Sequence, residues 1–411
     1  MKNIEELIAQ SEERLSALFK GIDQNSLFNQ ERVLNAFRAE RVSELHLQAS
    51  TGYGYANQGR DILDKIYAKV MGTEAALVRS QFISGTHALA TALRALLDPG
   101  QTLLSLTGSP YDTLRQVIGI EGTAPKNLAS QGVKYKEIDI FKAQDRGALI
   151  EAALKEDIQA VFIQRSRGYE WRDSLNIVEM QEIIEKVKEI NPKVLVMVDN
   201  CYGEFTETLE PGHIGADLLA GSLIKNPGGG LASGGGYIAG IEELVENAAA
   251  IMTAPGLGLE MGPAFGDSQR LMFQGLFLAP HIVSQSLKGM HLVAAVMAQL
   301  GFEVSPKFDE RRSDVIQAIR FQDSETLIEF CRSVQRVSPI DSHLHLEPWA
   351  MPGYEHPVIM AAGAFIQGSS IELSADAPIR EPYTAYIQGG LTYEHVKLAL
   401  KEILQNLPLE M

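Results

Sequence analysis

Four short apolar runs constrain this chain more than any other feature. Ala75-Ala76-Leu77-Val78, Thr102-Leu103-Leu104-Ser105-Leu106, Ala160-Val161-Phe162-Ile163 and Val194-Leu195-Val196-Met197-Val198 show no alternation of apolar and polar residues. Longer segments with helical spacing lie between them, such as 87–97 and 178–190. Strands without alternation are buried on both faces, and strands separated by helices pair in parallel. The pattern predicts an α/β fold with a mostly parallel central sheet between helical layers. Sheets of that kind bind ligands beyond the carboxyl ends of their strands.

The flanks read differently. Residues 1–50 form an N-terminal helical arm, with apolar positions at helical spacing over 4–19 and 29–47. Loop chemistry follows in Gly52-Tyr53-Gly54-Tyr55-Ala56-Asn57-Gln58-Gly59-Arg60, and a helix resumes over 61–71. Residues 51–280 are expected to make the large domain. A long helix from 279 to 300 then leads to strand-like runs at 315–319 and 370–373 and a last helix at 393–407. Residues 281–411 are therefore expected to form a smaller α+β domain.

With 411 residues, two or three domains are the expectation, and 45% hydrophobic with 21% charged residues is ordinary for a folded soluble protein. No run reaches the ~18 apolar residues of a membrane span. The first residues lack the apolar centre of a secretory signal. Two cysteines, Cys201 and Cys331, make neither a disulfide framework nor a Cys-based metal site. A cytoplasmic protein is expected. The net charge of −16 argues against sequence-independent binding to nucleic acid or to an anionic membrane. A local basic pocket for a small phosphate is still compatible with it.

Three segments carry chemistry. Ile83-Ser84-Gly85-Thr86-His87 lies between a strand and a helix. Its backbone N–H groups, two hydroxyls and the helix dipole suit a phosphate monoester, although Ser84 also reads as a plain helix cap. Asp199 follows the run Val194–Val198 directly, at the ligand-bearing end. A carboxylate there can pair with a protonated pyridine nitrogen, as a pyridoxal phosphate (PLP) electron sink requires, or cap the next helix. Lys225 sits in Gly221-Ser222-Leu223-Ile224-Lys225-Asn226-Pro227-Gly228-Gly229-Gly230, among small and apolar residues. Poor hydration would lower its pKa and make it a better imine-forming amine. Ser222 can reach the same phosphate as Ser84 and Thr86. A nucleotide-binding loop fits less well, because the lysine precedes the glycines.

Phosphate turn, then aspartate ending a strand, then lysine is the order found in fold type I PLP enzymes. The sequence resembles the methionine gamma-lyase/cystathionine beta-lyase-like proteins associated with aluminium resistance. The resemblance rests on Thr51-Gly52-Tyr53-Gly54-Tyr55 with Gly59-Arg60-Asp61, and on Val198-Asp199-Asn200-Cys201-Tyr202-Gly203-Glu204-Phe205. The lysine segment and Ser374-Ala375-Asp376-Ala377-Pro378-Ile379-Arg380 extend it over nearly the whole chain.

What the resemblance implies is specific. Lys225 would bind PLP covalently, Asp199 would pair with the ring nitrogen, and Gly85, Thr86 and Ser222 would hold the phosphate. Tyr111 would stack on the ring and serve in proton transfer. Tyr55 and Arg60 are candidates to reach the phosphate of a neighbouring subunit, which makes a homodimer or tetramer the expected assembly. Arg380 is the candidate grip on the substrate carboxylate, with Arg167 and Arg165 competing. The reaction implied is carbon–sulfur elimination from methionine or a cystathionine-like amino acid. An aminotransferase, an aldolase, or a PLP-binding protein with a regulatory or resistance role is the alternative. Asp341-Ser342-His343-Leu344-His345-Leu346-Glu347 has the alternation of a metal site, but a strand lining the cleft is the better reading and no metal is expected. Cys201 reads as a small buried residue.

Overall fold

The computed structural model describes residues 4–53, 57–122, 124–351 and 356–408. The chain begins with α1 (Ile4–Ala39) and α2 (Gln58–Met71), then β1 (Ala75–Arg79) and α3 (Gly85–Leu96). Next come β2 (Thr102–Ser105), α4 (Asp112–Ile118), β3 (Lys134–Glu137), α5 (Arg146–Ala153), β4 (Ala160–Gln164) and α6 (Ile177–Ile190). After them run β5 (Leu195–Asp199), β6 (Leu218–Ser222), β7 (Gly236–Gly240), α7 (Glu242–Met252) and α8 (Ser268–Gln299). The last elements are β8 (Glu303–Ser305), β9 (Ile316–Arg320), α9 (Ser324–Arg336), β10 (Val358–Ala361), β11 (Ser374–Pro378), β12 (Thr384–Gln388) and α10 (Tyr393–Asn406).

The first seven strands form one sheet in the order β1-β7-β6-β5-β4-β2-β3. Five of them pair in parallel, and β7 runs antiparallel between β6 and β1. Strands β4, β6 and β7 are buried at every position, which is why their sequences do not alternate. The carboxyl ends of β4, β5 and β6 lie side by side. They deliver Gln164, Asp199 and Ser222 to one edge.

The remaining five strands make an antiparallel sheet in the order β10-β11-β12-β9-β8. One face packs Ile319, Ala375, Ala377, Ala385 and Ile387 into a second core with α9 and α10. Helix α1 runs along α8 and spans both cores, burying Leu7, Ile8 and Leu15 in one and Val33 and Ala36 in the other.

Three expectations need correction. The N-terminal arm is one continuous helix followed by a short turn of 3-10 helix at Glu44–Leu47. Within it, Asn25 and Asn29 donate side-chain hydrogen bonds to the carbonyls of Phe205, Thr206 and Glu207. The strand expected at 370–373 lies instead at β11. Glu372 turns its carboxylate onto the N–H groups of Phe365 and Ile366 and holds a loop there. The segment 341–347 is also a loop, begun by Asp341 in the left-handed region (φ 55°). Its His345 pairs with exposed Glu347. Among the described residues no group of His, Cys, Asp and Glu could hold a metal ion, and no helix is long and apolar enough to cross a membrane.

Candidate active site

A cavity of about 360 Å³ opens where the strand ends of the large sheet face the small sheet. Lys225, Asp199, Tyr111 and Cys201 line one side, and Tyr386, Gln388 and Arg380 line the other. Lys225 starts the turn after β6. Asn226, next to it, donates to the carbonyls of Tyr202 and Glu204, both at 2.9 Å. The lysine loop is thereby fastened to the loop that follows Asp199. The glycines after Lys225 serve close packing on α8. A Cβ at Gly229 would lie 2.4 Å from the Gly275 carbonyl oxygen. Tyr202 takes a left-handed backbone (φ 72°), which costs about 1–2 kcal/mol. That geometry brings its ring under Lys225 Nζ, 4.0 Å from the centroid.

Asp199 is buried, and its Oδ1 accepts the Cys201 N–H at 3.1 Å. Burial raises its carboxyl while the nearby Lys225 ammonium opposes that rise. Burial also works against the Lys225 ammonium. The acidic groups around it, Cys201, Tyr202, Asp199 and Tyr111, outweigh burial and hold it above its ordinary value. These neighbours act against the lowering that apolar surroundings alone would cause. Tyr111 is pushed well above its usual range, chiefly by burial and then by Asp199.

At the start of α3, Ser84 accepts the His87 N–H at 3.1 Å, so its hydroxyl is the helix cap. Thr86 Oγ1 lies 3.3 Å from Tyr111 Oη and 3.1 Å from Thr113 Oγ1. Ser222 Oγ is buried with no hydrogen-bond partner among the described residues. A Cβ at Gly85 would sit 3.1 Å from the Ser222 Cβ. A helix N-terminus, a cramped glycine and a buried hydroxyl lacking a partner make a fitting cradle for a small anionic ester.

The arginines divide. Arg165 is fully buried and bonds Asn200 Oδ1 at 2.8 Å and Glu207 Oε2 at 3.1 Å, so it belongs to the core. Arg167 borders the cavity, but its guanidinium is closed to solvent and bonds the Ser305 carbonyl and hydroxyl at 2.8 and 3.0 Å. Its Nε and Nη2 have no hydrogen-bond partner among the described residues, so Arg167 stays a candidate beside Arg380. Arg380 is exposed at the rim, just beyond β11, with no ion pair among the described residues. Arg60 does not join the cavity of its own chain. It is 3% exposed and donates to the Glu260 carbonyl at 2.6 Å and to Asp61 at 3.0 Å. Tyr55 lies outside the described residues.

Residue reasoning overlooked Tyr169, Asp376 and Gln388. Asp376 carried a signal: it is the one charged residue in an alternating Ser-Ala-Asp-Ala-Pro strand, between two alanines that enter the core.

The model of the family described as methionine gamma-lyase matches residues 4–408. The chain belongs to the methionine gamma-lyase family. An uncharacterized Bacillus subtilis protein, YnbB, is 51% identical over 396 residues, covering 96% of this chain and 94% of that one. A solved structure described as a carbon-sulfur lyase involved in aluminum resistance, from Clostridium novyi NT, is 51% identical with a TM-score of 0.93. The match covers 98% of this chain and 95% of that one. Escherichia coli YhfS, described as pyridoxal-5'-phosphate dependent, is 17% identical with a TM-score of 0.62. It covers 93% of this chain and 97% of its own, and the likeness extends to the fold. Methionine gamma-lyase family membership therefore joins the geometry in pointing to lyase-type chemistry.

Proposed function

We propose that this chain is a fold type I PLP-dependent carbon–sulfur lyase acting on a sulfur-containing amino acid by α,β- or α,γ-elimination. The observation that carries the reading is the convergence of Lys225, Asp199 and Tyr111 in one cavity beside the Ser222–Gly85–Thr86 cradle. The family match and the Clostridium novyi relative support it.

The cofactor, when bound, withdraws electrons from the substrate Cα and so makes its proton removable. The chain supplies the rest. Ser222, Gly85 and Thr86 hold the phosphate, with Ser84 fixing the helix start behind them. Asp199, buried at the end of β5, would pair with the ring nitrogen. Lys225 would hold the cofactor, and its free amine would accept the substrate Cα proton. Tyr111 covers the ring and holds a proton for the departing sulfur. Arg380 grips the substrate carboxylate in a two-pronged bond.

A homodimer or tetramer with shared sites is part of the proposal. Tyr53 (84% exposed), Ile83 (87%) and Phe265 (69%) lie together near the phosphate cradle, where the Gln81 side chain bonds the Pro263 carbonyl. Exposed apolar residues grouped in this way mark a contact surface. Arg60 and Tyr55 would act across that contact. A division into an arm (1–50), a large domain (51–280) and a small domain (281–411) completes the reading. Two free thiols suit a cytoplasmic enzyme.

An absorbance titration with PLP, followed by methionine or cystathionine, tests the function. The expected result is a visible cofactor band that changes on adding substrate while thiol and ammonia are released. A band with no thiol from any sulfur amino acid, and an aldehyde or amino-group transfer instead, would make it an aldolase or aminotransferase.

A further inference from the structure

The small sheet turns one face to the cavity, and a carboxylate on that face has no part in the chemistry above. Side chains alternate across a strand, so the entry of Ala375, Ala377, Ala385 and Ile387 into the core sends Asp376, Tyr386 and Gln388 to the other side. Tyr386 and Gln388 line the cavity, and Tyr169 joins them from the loop after β4. The two tyrosine rings lie 5.2 Å apart, inclined at 41°. Tyr386 Oη donates to the Tyr169 carbonyl and fixes that loop. Asp376 Oδ2 accepts Tyr169 Oη at 3.0 Å and Gln388 Nε2 at 3.2 Å. Both bonds fall on one oxygen, and among the described residues no basic side chain pairs with the carboxylate. Burial pushes Asp376 up to about 6, as it does a carboxyl kept from water with no basic partner among the described residues.

We propose that Asp376, with the rings of Tyr169 and Tyr386, forms a subsite for an ammonium group at the far end of the substrate side chain. The inference rests on the lyase reading of this cavity and narrows its substrate to thioether amino acids whose leaving thiol carries a positive charge. A carboxylate and two aromatic faces all attract a cation. A methyl terminus would leave the carboxylate desolvated and unpaired. The substrate is then held at both ends, by Arg380 at its carboxylate and by Asp376 at its distal ammonium.

The test uses two isosteric pairs on the PLP-loaded protein. Calorimetry compares L-lysine with L-2-aminoheptanoate, and thiol release compares S-(2-aminoethyl)-L-cysteine with S-propyl-L-cysteine. The parent is expected to favour the ammonium partner about tenfold or more in both, the scale of a charge-assisted hydrogen bond. Asp376→Asn, which keeps shape and an acceptor for Tyr169, should bring both ratios to about one while the cofactor absorbance and thermal midpoint stay unchanged. Equal binding of lysine and 2-aminoheptanoate by the parent overturns the proposal, whatever the variant does. Ratios unaltered by Asp376→Asn overturn it too. A failure of the lyase reading looks different: no thiol from either cysteine derivative, with the calorimetric preference for lysine intact.

Discussion

The large sheet gives the cavity Lys225, Asp199 and Ser222 from adjacent strand ends, with Asp199 and Ser222 buried and Lys225 half-buried. The small sheet gives it Arg380, exposed on the rim, and sets Asp376, without a cationic partner among the described residues, directly behind Tyr169 and Gln388, which line it. The first wall is crowded with groups that adjust one another's protonation. The second presents separate charges, neither of them in an ion pair among the described residues. On the proposed function, chemistry belongs to the first sheet and selection to the second. Substitutions on the first wall should change kcat, and substitutions on the second should change KM.

Lys225→Ala probes the first wall most severely. On the proposed function it removes both the covalent hold and the base, and turnover should fall about 10⁴-fold or more. Stopped assays with the PLP-saturated variant give the number, and near-parental turnover would place the base elsewhere. Asp199→Ala should lower kcat about 10²–10³-fold by removing the charge opposite the ring nitrogen. Its binding of PLP, followed by absorbance, should weaken as well.

Arg165→Met separates function from support on the same wall. Arg165 balances buried Glu207 and Glu210, and removing it should cost about 3–5 kcal/mol of stability. Urea unfolding measures this. A variant that is stable yet inactive would return Arg165 to the list of substrate ligands. On the second wall, Arg380→Gln should raise KM about 10–100-fold and leave kcat within a few-fold of the parent, the mark of lost uniform binding. A fall in kcat with constant KM would erase the contrast between the walls.

The smallest effect lies behind the first wall. Glu204 is fully enclosed, accepts Tyr237 Oη at 2.9 Å, and is pushed by burial up to about 8. Its folded-state pKa exceeds the ordinary value of 4.5, so its contribution is complete below about pH 4.5 and is lost as pH rises through 8. Glu204→Gln should therefore gain on the parent steadily between pH 5 and 8 in urea midpoints, by a few kcal/mol at most. A parent that gains on the variant with rising pH would show that Glu204 is ionised in the fold.

The first wall was far more legible in the sequence than the second. Unalternated strands announced the buried sheet, and its strand ends pointed to Asp199 and Lys225 because position in such a sheet dictates access. Opposing directions of neighbouring side chains were harder to read. Arg165 and Arg167 both follow β4, and what turns Arg165 into the core is a pair of carboxylates far along the chain. The small sheet hid its site because its strands pair antiparallel across long loops. Asp376 meets Tyr169 through a hydrogen bond between residues 207 positions apart. Glu372 looked like part of a strand, and its turn onto two backbone N–H groups leaves no periodic trace.

The most direct test of the account is to reduce the PLP-loaded protein with borohydride and locate the cofactor by peptide mass spectrometry. The account predicts a single labelled peptide, with the label on Lys225. A label on another lysine, or none despite a visible cofactor band, would contradict it.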